Sequence, residues 1–236
     1  MKGGADTHMT VSMMEHLESM GITEGMVTST VITIILCVVA ILAGRNMQMI
    51  PSGLQNVAEM AIGKMYSFFE GIMGKKLCKQ YFPIIATLFI YILFCNYSGL
   101  LPASGELPGL QAPTSSLNCT SAMAIFVFFM TTFVGLRANR GPKYFKHLFK
   151  PVAFLFPLMI VEMLVRPLSL MMRLYGNIYG EETVTHQFFT MIPIGLPVVM
   201  QLLSVLMGLI QALVFSLLTA IYFTEAGEVE GELDEI

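Results

Sequence analysis

From Phe188 to Phe223 the chain runs 36 residues without a single Asp, Glu, Lys or Arg. As one helix that stretch would be ~54 Å long at ~1.5 Å per residue, far more apolar surface than one face of a soluble domain can absorb. Lipid is the solvent that accepts such a helix, because every backbone N–H and C=O is satisfied inside it. The rest of the chain agrees: of 236 residues 55% are hydrophobic and only 12% charged, outside the range of ordinary soluble folds.

Three more apolar runs have about the ~20 residues that a spanning helix needs: Met26 to Gly44, Phe82 to Leu101 and, at the short end, Ser121 to Leu136. Pro151 to Gly180 is overlong in the same way as Phe188 to Phe223. Both exceed a hydrocarbon core of ~30 Å, which implies tilt or a broken helix, and Pro193 and Pro197 offer a break. The two are expected to form a long inclined hairpin turning near Glu181 to Pro197. Between the first two runs, Leu54, Val57, Ala58, Ala61, Met65, Phe68, Phe69, Ile72 and Met73 recur at helical spacing, interrupted by Gln55, Glu59, Lys64 and Glu70. That pattern predicts an amphipathic helix lying in the interface. The fold class is thus an all-α integral membrane protein, with about five membrane helices plus an interfacial one. Residues 1–25 form an N-terminal segment, 26–223 a single transmembrane domain and 224–236 an acidic tail, expected to be solvated.

Charge sets the expected topology. Arg45, Lys64, Lys75, Lys76 and Lys79 fall between the first two runs, and Arg137, Arg140, Lys143, Lys146 and Lys150 follow the third. Lys and Arg concentrate in cytoplasmic loops, so both clusters should lie inside, with the amino terminus and the loop from Asn96 to Cys119 outside. The C-terminus is then cytoplasmic. No signal peptide is evident, because the first apolar run follows an acidic segment and reads as a retained anchor. Cys37, Cys78, Cys95 and Cys119 lack CxxC spacing and are expected to be packing or loop residues, with no metal or disulfide role. No GxxxxGK[ST] loop is present, so no nucleotide site is expected.

Arg173 lies in the middle of the segment Arg166-Pro167-Leu168-Ser169-Leu170-Met171-Met172-Arg173-Leu174-Tyr175-Gly176-Asn177. A guanidinium at membrane depth costs from ~2.5 to more than ~10 kcal/mol, so it needs partners, water or a task. No acid stands three or four residues away, which argues against simple pairing within its helix. Glu162, Arg166, Ser169, Arg173, Gly176 with Asn177, and Gly180 with Glu181 follow one another at three- and four-residue spacing, one stripe of a helix. Gln201, Ser204, Gly208 and Gln211 repeat that spacing in the last run. The bland reading is interhelical glue, with Glu162 pairing Arg166 and the Gln and Ser residues bonding across the helices. Glu182 and His186, four apart with Glu181 beside them, form a small ionisable patch suited to proton exchange with a water path, or else a solvent-facing turn. His147 sits in a basic loop as an ordinary surface residue.

These residues resemble the membrane-embedded a subunit family of F-type ATP synthases. The resemblance is carried by Arg166 to Asn177, with Glu182 five positions on and Gln211-Ala212-Leu213-Val214-Phe215 in the last run. Asn96-Tyr97-Ser98-Gly99-Leu100-Leu101-Pro102, Pro113 to Thr120 and Pro157 to Glu162 are also similar to that family, so that the likeness covers about Pro51 to Phe223. It implies an ion-translocating stator without catalytic, cofactor-binding or metal residues. Arg173 would face the carboxylate of a rotor ring of c subunits, with Asn177, Glu182 and Gln211 toward an outer half-channel and Glu162 toward an inner one. Implied partners are the c-ring, peripheral-stalk b subunits and membrane lipid, with no nucleic acid. The implied location is a bacterial plasma membrane.

Two positions depart from the family pattern: Ser204 stands where His or an acid is frequent, and Ser116 where Asp is common. His186 is then the expected substitute in the outer relay. The rival reading is a stand-alone secondary transporter with Arg173 binding an anionic substrate. Against it stand the absence of an internal repeat and the small number of helices.

Overall fold

The computed structural model describes residues 23–44, 53–100, 112–138, 156–191 and 196–228. Among them are five α-helices and one short 3₁₀ turn: α1 Glu24–Gly44, α2 Leu54–Ser98, the turn Pro113–Ser115, α3 Leu117–Ala138, α4 Phe156–Met191 and α5 Leu196–Glu228. Strands are absent among the described residues. Four of the helices, α1, α2, α3 and α5, hold windows long and apolar enough to cross a membrane. α4 has the length, at 36 residues, but carries the polar stripe.

α2 needs division before its 45 residues make sense. A straight helix of that length would reach ~68 Å, about twice a hydrocarbon core. Gly74, at φ 74° and ψ 160°, breaks it. A side chain would be strained at that φ, and glycine is not. The break separates the amphipathic Leu54 to Met73 piece from the spanning piece that ends at Ser98, so the interfacial helix expected from periodicity is helical and ends where glycine permits it. The spanning piece starts earlier than Phe82, because Lys75, Lys76 and Lys79 form its first turns. Pro83 lies inside it and Pro167 inside α4. Each costs one backbone hydrogen bond, which membrane helices tolerate.

The last two helices differ from expectation at their junction. Glu181 to Met191 continues α4 as helix, and α5 begins at Leu196 with Pro197 in its first turn, where a missing N–H costs nothing. Glu181 and Glu182 therefore sit on a helix, not in a turn. Pro193 lies outside the described residues. At the other end α5 runs on to Glu228, which makes Glu225 part of the helix.

The chain divides into two compact units, each assembled from three stretches of sequence. The first comprises residues 1–46, 90–120 and 174–212. In it the Ser29 hydroxyl and the Tyr91 hydroxyl, 2.8 Å apart, join α1 to α2. The end of α2 is stitched to α5 by three bonds: Asn96 donates to the Gly208 carbonyl at 2.9 Å, Tyr97 to Val205 at 3.3 Å, and Gln201 to the Leu100 carbonyl at 2.9 Å. Partner numbers rise on α2 as they fall on α5, so these segments run antiparallel. Such polar bonds replace the hydrophobic drive that lipid removes.

The second unit, residues 47–89, 121–173 and 213–236, holds a buried aromatic cluster. Phe69, Tyr81, Phe82 and Phe223 pack with Ile85, Val134 and Ala220. The Tyr81 and Phe223 rings meet edge-to-face at 5.7 Å, and those of Tyr66 and Phe82 at 5.0 Å. Apolar side chains elsewhere face outward: Ile41 is 66% exposed and Leu202 73%. In water such exposure would be a liability; against lipid it is the solvent-facing side.

Candidate functional site

In the second unit α4 and α5 gather the charged residues. Arg166 reaches Glu162 Oε1, one turn earlier on α4, at 2.6 Å. It also pairs with Glu225 on α5 and lies over the Tyr222 ring with 5.1 Å to the centroid. The glue expected for Glu162 and Arg166 is thus made, and Glu225 joins it from a stretch that composition alone assigns to a solvated tail. Arg173 differs. It is exposed, on a face of α4 that also exposes Leu164, Val165, Leu168 and Met172, and it makes no hydrogen bond or ion pair among the described residues. Tyr222 lies within the electrostatic reach of both arginines.

In the first unit the neutral polar residues meet. Asn177 donates its amide to Gln211 Oε1 at 2.8 Å, linking the two stripes. Gln211 is only 4% exposed and Ser204 7%. Glu181 and Glu182, both half-buried, reach different neighbours. The Ser204 hydroxyl, 3.0 Å from the Met200 carbonyl oxygen, also lies within hydrogen-bonding reach of the Glu181 carboxylate. The Ser115 hydroxyl, 2.9 Å from the Ala112 carbonyl oxygen, is likewise within reach of Glu182. Gly99 makes that second approach feasible, since a Cβ there would stand 3.3 Å from Glu182 Oε1 and 2.9 Å from the Ala112 Cβ.

Five buried polar atoms in this unit have no hydrogen-bond partner among the described residues: Thr23 Oγ1, Asn96 Oδ1, Thr114 Oγ1, Thr185 Oγ1 and Gln211 Nε2. Asn96 is 5% exposed and Thr114 fully buried. Leaving such atoms dry costs about 1–3 kcal/mol each, whereas a polar cavity lets water satisfy them. These atoms lie in the same unit as Glu181 and Glu182 and offer hydrogen-bonding positions there beyond those the described residues fill.

The sequence-based selection is only partly assembled by this geometry. Asn177 and Gln211 are in direct contact, Glu162 is tied to Arg166, and Ser204 faces Glu181. His186 follows Glu182 by one turn of α4, but its side chain lies outside the described residues. Ser116 caps the 3₁₀ turn beside Gly25. Sequence reasoning passed over Asn96, Ser115, Tyr222 and Glu225. A signal for Asn96 was present, as a lone amide near the end of an apolar run; Glu225 offered none.

Comparison with known proteins shows the family. The ATP synthase A chain family matches residues 26–224. Among similar proteins, the ATP synthase subunit a of Moorella thermoacetica is 41% identical over 216 residues, covering 92% of this chain and 96% of the relative. ATP synthase subunit a 1 of Syntrophotalea carbinolica is 42% identical over 219 residues, covering 91% and 90%. The subunit a of Geobacter sulfurreducens is 40% identical over 208 residues, covering 86% and 85%. With a match spanning most of its length and its apolar helices, the chain belongs to the ATP synthase A chain family of multi-pass membrane proteins.

Proposed function

We propose that this chain is the ion-translocating stator of an F-type ATP synthase, in which Arg173 meets the ionised carboxylate of each passing rotor subunit. The observation that carries this reading is the state of Arg173: an exposed cation, unpaired among the described residues, set in an apolar exposed face. A guanidinium keeps its proton under all relevant conditions, so it attracts a carboxylate without donating to it. It also blocks direct passage of a cation between two half-channels.

The outer half-channel is built by Glu182, Glu181, Ser204, Ser115, Asn177 and Gln211. Half-buried carboxylates exchange protons with water on that side and pass them to the rotor carboxylate. Glu162 lies toward the inner side, tied to Arg166, and acts there through its charge and not as a proton carrier. His186, one turn from Glu182, is a further candidate for the outer relay. This chain carries no nucleotide chemistry in this scheme; its partners are the c-ring and the peripheral-stalk b subunits, and its setting is a bacterial plasma membrane with the N-terminus outside.

ATP-driven pumping in vesicles holding the assembled complex tests the reading. Arg173→Ala should abolish coupled pumping while leaving assembly intact. Pumping at near wild-type rate would overturn it, and uptake of an anionic solute by this chain alone would favour a secondary transporter instead.

A further inference from the structure

Arg166 and Arg173 stand seven residues apart on α4. Seven residues carry a helix nearly twice round, to within about 20° of the starting direction and ~10.5 Å along the axis. Both guanidiniums thus lie along one face, that of the proposed rotor contact. Chemically they are the same group, and either could bind a carboxylate through two parallel N–H donors. Something must distinguish them.

Their surroundings do. Arg166 is held between Glu162 at 2.6 Å and Glu225, and stacks on Tyr222. Stability does not account for this arrangement: the side chains are 31%, 58% and 47% exposed for Arg166, Glu162 and Glu225, and ion pairs that open contribute at most about 1 kcal/mol. The larger consequence is electrostatic. One cation and two carboxylates leave a local charge of −1, so the level of Arg166 repels an ionised carboxylate while the level of Arg173 attracts one.

We propose that Glu162 and Glu225 neutralise Arg166 so that Arg173 is the single free cation a rotor carboxylate meets on this helix. The inference rests on the rotor-facing role of Arg173. Without the two acids, the rotor carboxylate would find a second guanidinium about 10 Å away along the same face and would dwell there unproductively. Glu162 and Glu225 are positioning residues, acting on the ion path through Arg166.

An epistasis experiment in the assembled complex tests this. Glu162→Gln with Glu225→Gln keeps side-chain size and hydrogen-bonding capacity but frees Arg166, and should slow ATP-driven pumping, normalised to assembled complex, about tenfold through the competing charge-assisted contact. Adding Arg166→Gln should restore the rate to within about twofold, because the competitor is gone. If the acids served only to clamp α4 to α5, the triple variant would stay as slow as the double one, which overturns the proposal. A double variant that pumps at wild-type rate overturns it as well. Failure of the underlying reading shows up separately, as retained coupling in Arg173→Ala.

Discussion

Asn177 on α4 gives its amide N–H to the buried side-chain oxygen of Gln211 on α5, at 2.8 Å. The bond joins an exposed residue of the polar stripe to one that is 4% exposed, and so fixes the Asn177 amide one turn beyond Arg173.

Replacing the buried partner should expose what that bond contributes. Gln211→Leu keeps the volume and removes both polar atoms, whereas Gln211→Glu keeps an acceptor. Interhelical bonds of this kind contribute about 0.6–1.7 kcal/mol in membranes, so Gln211→Leu should assemble yet pump roughly tenfold slower. A double-mutant cycle with Asn177→Ala checks the pairing: additive losses would mean that the two amides act independently.

The charge at Arg173 has to be permanent as well as positive. Arg173→Lys substitutes a compact ammonium that loses its proton more readily when desolvated and cannot bind a carboxylate with two parallel donors. Coupled ATP synthesis in that variant should be lost, with the complex assembled. Synthesis above about a tenth of the wild-type rate would show that any cation suffices.

Gly99 leaves room for Glu182. In Gly99→Ala the new methyl would press on the Ala112 Cβ at 2.9 Å and on Glu182 Oε1 at 3.3 Å, and overpacking of this kind costs about 1–3 kcal/mol. Lower thermal stability and slower pumping are expected together. Combining it with Ala112→Gly should recover most of the stability; if it recovers none, the contact that matters lies elsewhere.

Position 204 holds Ser where a titratable partner would be expected, and two residues compete to replace it. Glu181 is within hydrogen-bonding reach of Ser204, while His186 lies one turn from Glu182. Glu181→Gln and His186→Ala, each compared for the pH profile of ATP-driven pumping, separate them. The carrier of the relay is the residue whose removal narrows the profile; Glu181→Gln is expected to do so, and an unchanged profile would leave Glu182 working through water.

Topology is open to direct labelling. Cysteine placed at Lys143 in a background lacking the native cysteines should react with an impermeant thiol reagent from the inner side only, and cysteine at Gly105 from the outer side only. Reaction of position 143 from outside would invert the orientation.

The membrane class and the helical fold were present in the sequence, because each depends on local properties, run length and a periodicity of 3.6; the cost of a charge within apolar neighbours is what made Arg173 the residue to propose. Even the two polar stripes on α4 and α5 followed from spacing alone. Which member of one stripe meets which member of the other did not, since the register between two helices depends on how their ridges pack. That register joined Asn177 to Gln211, set Ser204 beside Glu181 in place of Glu182, and brought Glu225 out of an apparent acidic tail onto Arg166. The break at Gly74 was equally hidden: glycine permits a positive φ, but many glycines occupy ordinary backbone, and only the packing of the interfacial and spanning pieces decides which one turns.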